Sequence, residues 1–307
     1  MEKRLTTTAM LFSVGFVFML VCSVGAFFYG IQIGTEKTEA KYEKEDAGSK
    51  QASASVSPYQ QQDLVSFYHT VFLSYREFQN EWFSAMNKLS QGKTNEATSM
   101  FKDLASLAGD KADEASSVNM QSSPLLGEAQ VSYIRSLNLF EEASNKAATQ
   151  AKTLSFNELK KKIDQEKNYM SASQFALSAQ QAYYAAMLKW AATVDLDIPS
   201  DYKSPALLEL TQWKKLTITI KNKIMADQLL TRKKLTHYYP QDLTSRVDEF
   251  VESGQAAKMK VHTVTAVVDL LINTEAVRSG DFIESKSRLY ENALLPQLPF
   301  FTSETNL

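Results

Sequence analysis

The sequence is poor in the residues that carry most protein chemistry. Its one cysteine, Cys22, lies in an apolar stretch near the N-terminus, so the rest of the chain can close no disulfide. Histidine is almost as scarce: His69, His237 and His262 are the only three, and none falls in an H-E-x-x-H or E-x-x-H pattern. The sequence therefore offers neither a helix-borne zinc site nor the ligand set of a di-iron bundle. It has no G-x-S-x-G, no phosphate-cradling glycine loop and no EF-hand loop. Ser-x-x-Lys occurs at Ser90/Lys93, Ser99/Lys102 and Ser200/Lys203, but without the companion Lys-Thr-Gly, which marks the matches as chance. His262 and Asp269 are seven residues apart and can share a helix face, where we expect a boundary histidine and a solvated aspartate. No asparagine sits in a glycosylation pattern, which fits a bacterial origin. A net charge of −2 gives no reason to expect a nucleic acid as partner. These absences predict a protein that is not an enzyme and carries no metal or cofactor.

What is present begins at the N-terminus. A short head, residues 1–8, carries Lys3 and Arg4, and an apolar run follows from Ala9 to Ile33 with no charged side chain. As a helix it is about 37 Å long, enough to cross a hydrocarbon core of about 30 Å with some tilt. Basic residues before the run and an acid-rich segment after it, Glu36 to Asp46, predict a cytoplasmic N-terminus and an extracytoplasmic remainder. The competing reading is a signal peptide cleaved near Ala26, after Val24-Gly25-Ala26. Against it, apolar character continues through Phe27 to Ile33. Lipidation of Cys22 fits less well, because Met19-Leu20-Val21 lacks the small residue expected before it. Along the run, Cys22, Ala26, Gly30 and Gly34 recur every four residues and stack on one face, a pattern through which membrane helices associate.

Residues 34–57 have the composition of a stalk, charged at first and then rich in serine and alanine. Helical periodicity dominates thereafter. Leu64, Tyr68, Val71, Tyr75, Phe78, Trp82, Ala85 and Leu89 alternate gaps of four and three, and Val65, Phe72 and Met86 widen the seam. A second helix is expected from Thr94, with Ala97, Phe101, Leu104, Ala108, Ala112 and Ala115 on one side. A third opens at Ser122-Ser123-Pro124. The turns at Gly92 and Gly280 resemble the helical hairpins of tetratricopeptide repeats, but no 34-residue period connects them. Ser155-Phe156-Asn157-Glu158 reads as a capping box opening the longest helix, continuous to Val194 and close to 60 Å long. Its faces are the row Phe156, Ile163, Met170, Leu177, Tyr184, Ala191 and the row Tyr169, Ala176, Tyr183, Trp190. Residues 195–204 read as a linker between two halves of the bundle, 58–194 and 205–295. In the second half, helices are expected from Ser204-Pro205 to Thr231, after Pro240, over Val261–Leu271, and from Asp281 to Leu294. Leu216–Ile220 alternates like a strand, but its flanks favour helix. Residues 296–307 form a proline-broken tail.

The fold expected is all-α: one transmembrane helix followed by an elongated extracytoplasmic bundle of about six to eight helices. One more constellation stands out. Glu166, Ser173 and Gln180 continue the register of Leu159 and Met187 on the longest helix. Facing inward, they make a polar line able to hold a ligand or a partner's side chains; the Tyr169/Met170 rows place them instead on the wet edge, which we expect. These features predict a membrane-anchored, non-enzymatic interaction or scaffold module with a protein partner or self-association through the span. The alternative is a ligand-binding ectodomain that signals through a membrane partner, its small molecule unknown.

Overall fold

The computed structural model describes residues 59–92, 94–120 and 123–302. The run Ala9–Ile33, with Cys22, Ala26, Gly30 and Gly34, lies outside them, as do the stalk and Pro58. The described residues form an all-helical bundle, whose one β feature is an isolated antiparallel bridge between Glu209 and Thr263. No helix among them is long and apolar enough to cross a membrane.

Helix α1 (Gln61–Phe67) passes without a break through a π-helical turn (Tyr68–Phe72) into α2 (Leu73–Ser90). Every residue of the predicted seam, from Leu64 to Leu89, is buried. The π turn lets the helix accommodate one extra residue, so Phe67, Tyr68, Val71 and Phe72 all reach the core. Gly92, at φ +95°, turns the chain where most side chains would be strained. Helix α3 (Ala97–Ser116) buries the predicted alanine-rich side, and α4 (Pro124–Gln150) opens on its proline as expected. Aromatic rings lock these helices together: Tyr75 stacks on Tyr133 at 4.4 Å, and Phe78 lies 4.9 Å from Phe140.

The expected unbroken helix to Val194 is two helices, α5 (Phe156–Asp164) and α6 (Lys167–Val194). The capping box at Ser155 and Glu158 forms. The interruption falls at Gln165–Glu166, leaving α6 about 42 Å long. Beyond α6 the sequence reading needs further correction. Ser204-Pro205 starts no helix. The chain stays irregular to the bridge at Glu209, tied by Leu210 N–H to the His262 carbonyl and Val264 N–H to the Leu208 carbonyl, both 2.9 Å. Then follow α7 (Leu210–Trp213), α8 (Ile218–Arg232), α9 (Pro240–Glu252), α10 (Gln255–Lys258), α11 (Val264–Asn273) and α12 (Asp281–Leu289). Ile218–Ile220 is helical despite its alternation. Val261 precedes α11, and α12 stops five residues short of Leu294. It stops there as the Tyr290 hydroxyl turns inward to donate to Asp248 at 2.6 Å.

One apolar core runs through all of this, including Leu188 before residues 195–204, Ile198 within them, and Trp213 and Ile224 after them. Two buried carboxylates organise the second half. Asp248 accepts from Trp213 Nε1 (2.6 Å), Lys221 Nζ (2.9 Å) and Tyr290, joining α7, α8, α9 and the chain after α12. Asp242 accepts from its own helix start, Tyr239 N–H, and from Gly280 and Phe282 N–H at the start of α12. The tail is not a loose end: Phe300 sits 5.6 Å from Tyr68 and 5.4 Å from Phe72, against the π turn, and Gln61 clasps Gln297 with two hydrogen bonds.

Two predictions follow from this packing. Replacing Phe300 by alanine opens a cavity beside Phe72 and lowers unfolding stability by about 3 kcal/mol in a urea titration. A loss below about 1 kcal/mol shows a tail that does not complete the core. The second concerns pH. Burial pushes the Asp242 pKa up to about 6, with Asp281 adding to it, although three N–H donors hold it down. The folded state therefore binds the proton more tightly than the unfolded chain. This contribution is fully present near pH 3–4 and is lost as pH rises through about 6, an effect on the order of 2–3 kcal/mol. Asp242→Asn removes one acceptor and destabilises throughout, but its deficit relative to the parent narrows between pH 4 and pH 7. A deficit that widens over that range contradicts the assignment.

Candidate functional site

The break before α6 determines what its first turns present. Glu166 is the N-cap of α6: its carboxylate accepts from Tyr169 N–H at 2.9 Å and pairs with Lys146 Nζ on α4 at 2.8 Å. Partial burial alone raises the Glu166 pKa, but Lys146 and the Tyr169 amide outweigh it and the net shift is downward. Fixed there, α6 lays Tyr169 against Trp82, the rings stacked at 5.5 Å. It also turns Ser173 and Gln180 into the bundle rather than onto its wet edge. The polar line thus splits into two parts. Glu166 is a helix cap at the rim, and Ser173 and Gln180 are core residues in register with Leu159 and Met187.

Met170 corrects the other row. It is 56% exposed, whereas Leu177, Tyr184 and Ala191 below it are buried. Packing explains the change: α6 lies between α4 and α8, but α8 ends at Arg232, where Lys233 takes up a left-handed conformation (φ +52°). Past that point α6 is open on the side where α8 would cover it.

Two adjoining concavities result. A cleft of about 660 Å³ is lined by Asp164, Tyr169, Met170, Ser173, Phe175, Lys233 and Lys234, among others. A groove of about 620 Å³ lies between α4 and α6, lined by Val131, Ile134, Leu139 and Phe175 with Arg135, Asn138 and Ser171. The two share Ser171 and Phe175, so they form one continuous surface. Val131 is 63% exposed, and the Arg135 guanidinium lies over the Phe175 ring at 5.0 Å. Neither the Lys233 nor the Lys234 ammonium has an ion-pair or hydrogen-bond partner among the described residues. Asp164 is paired with Lys160 at 2.8 Å.

Ser173 is 6% exposed, and its hydroxyl meets no partner within hydrogen-bond distance. Tyr169 is close enough to feel it: burial first, and Asp164 second, raise the Tyr169 pKa, while the Ser173 hydroxyl eases it down. The Gln180 amide nitrogen is likewise unpartnered.

The remaining candidate groups are held by structural partners. His69 meets the Tyr68 ring edge-on, and His237 lies against Tyr238 and Phe83. His262 precedes α11, while Asp269 on that helix binds Arg232, so the two do not form a pair. Burial drives Tyr75, Tyr133, Tyr183 and Tyr184 well above the ordinary tyrosine pKa, keeping them as neutral core rings. A third cavity, about 580 Å³, is lined by Lys221, Arg288 and Tyr290; Lys221 and Tyr290 are bound to Asp248, and Arg288 to Glu249. Sequence reasoning missed the joined groove and cleft. Its one legible signal was the all-polar stretch Asp164-Gln165-Glu166-Lys167-Asn168 inside an otherwise amphipathic run.

No family model, curated protein or solved structure matches the chain.

Two substitutions check this geometry. Ser173→Ala removes a buried hydroxyl that has no partner, and thermal unfolding should show stability unchanged or raised, since an orphaned polar group costs about 1–3 kcal/mol. A clear loss would mean the hydroxyl is satisfied. Glu166→Ala removes the cap and should cost about 1 kcal/mol.

Proposed function

We propose that the chain is a membrane-anchored, extracytoplasmic and non-enzymatic interaction module, with the α4/α6 groove as its docking face. The observation that carries this reading is the apolar lining of that groove, with Val131 exposed and Ile134, Leu139 and Phe175 half-buried, continued by exposed Met170 in the adjoining cleft. Protein interfaces are built around such an apolar centre with a polar rim. Here the rim carries Arg135, Lys233 and Lys234, so the occupant it fits is an amphipathic helix of a partner protein with acidic residues beside its apolar stripe.

Anchoring rests on the uncharged run Ala9–Ile33 behind Lys3 and Arg4. Self-association through Cys22, Ala26, Gly30 and Gly34 fits the same picture, and Gly30→Ile should abolish it in a two-hybrid assay of the span.

Photo-crosslinking in intact membranes tests the docking face. A benzophenone side chain at Val131 in the full chain should give one stoichiometric protein adduct. The same group at exposed Lys203 should not, and Phe175→Asp should remove the adduct. Identical adducts at both positions, or none at Val131, count against the reading. Hydrolysis of an ester or peptide library by the purified chain would show that the class itself is wrong.

A further inference from the structure

We propose that the cleft at the start of α6 is a binding site for a small organic monoanion with an apolar body, such as an aromatic or medium-chain carboxylate. The site adjoins the docking groove and shares Ser171 and Phe175 with it, but its ligand is a different one. Four observations meet there. Its volume, about 660 Å³, lies within the range that small-molecule sites occupy. Its walls are apolar at Tyr169, Met170, Phe175 and Leu235, and Met170 is held out in solvent rather than folded into the core. At its mouth stand Lys233 and Lys234, both exposed and without a partner among the described residues. In its wall lies Ser173, more than nine-tenths buried, with a hydroxyl that makes no hydrogen bond to the described residues.

The charge balance sets the ligand class. Two ammonium groups face one carboxylate, Asp164, which Lys160 already neutralises in part. The surplus suits a single negative charge, and Asp164 disfavours the second charge of a phosphate monoester. Lysine ammoniums act as point charges on flexible stems, so they can close over a carboxylate at the mouth without imposing a bidentate geometry. The apolar body then fills the space between Tyr169, Met170 and Phe175. Serine has three staggered χ1 wells, and a rotation of Ser173 between them turns its hydroxyl toward an acceptor on the ligand. A buried donor that costs free energy in the empty cleft gains a hydrogen bond in the filled one. Lys233 keeps its position through the left-handed turn that ends α8, which fixes both lysines relative to α6.

The test uses the full chain in detergent, with 4-phenylbutyrate and octanoate as probes and 4-phenylbutanol as the uncharged control, followed by calorimetry. At least one carboxylate should bind saturably with a dissociation constant in the millimolar range or tighter, and 4-phenylbutanol about tenfold more weakly or not at all. The double variant Lys233→Ala/Lys234→Ala should lose about tenfold in affinity. Ser173→Ala, which the fold tolerates, should lose roughly fivefold, the value of about one hydrogen bond. Val131→Asp, which the docking reading requires to block the partner, should leave carboxylate binding unchanged, so the two proposals fail separately. No saturable binding by either carboxylate overturns the proposal, as does binding indifferent to the lysines and to Ser173.

Discussion

The Glu166 carboxylate fixes the geometry on which the functional reading depends. It accepts from the Tyr169 amide and from Lys146 on α4, so it ends one helix and starts another at a point set by a neighbouring helix. A charge-assisted hydrogen bond to a helix N-terminus suits both the free N–H groups and the helix dipole. Once α6 begins there, its register is determined. Tyr169 stacks on Trp82, Ser173 and Gln180 turn inward, and Met170 and Phe175 face the groove and cleft.

The rest of the bundle makes that register rigid. The aromatic seam of α1 and α2, doubled by the π turn, fills the space between α4, α6 and the C-terminal tail. The Asp242 and Asp248 nodes hold α8, α9 and α12 together by hydrogen bonds to buried backbone and side-chain donors. Breaking such a node leaves donors or a lysine unpaired in the interior, which costs more than losing an exposed ion pair. Against this background, the open face between α4 and α6 is a local departure from close packing. Exposed Val131 and Met170 and the unpartnered Ser173 hydroxyl, features that ordinarily disfavour a stable fold, fall together on this surface.

Much of the fold was legible because helical periodicity reports burial directly. The seam from Leu64 to Leu89 and the alanine side of α3 could be read residue by residue. The break at Glu166 could not, because glutamine and glutamate are good helix formers and the interruption comes from Lys146, twenty residues away in sequence. The inward turn of Ser173 and Gln180 was hidden for the same reason: a seven-residue spacing places them on one face without saying which way it points. Tyr290 ends α12 through a hydrogen bond to Asp248, a long-range partner that no local pattern announces. Phe300 and Phe301 looked like a tail because Pro296 and Pro299 precede them, yet prolines only forbid helix; they do not forbid burial. The groove and cleft arise from where α8 stops relative to α6, which is a tertiary fact.

Amide hydrogen exchange on the full chain can show whether this face is the one the protein uses, by comparing protein retained in its native membrane with the same protein purified alone. Protection gained in the membrane should be concentrated in residues 131–139 of α4, 169–175 of α6 and 233–235 after α8. Unchanged exchange there, with new protection around the Lys221–Arg288 cavity or the tail instead, would contradict the assignment of this face as the one the protein uses.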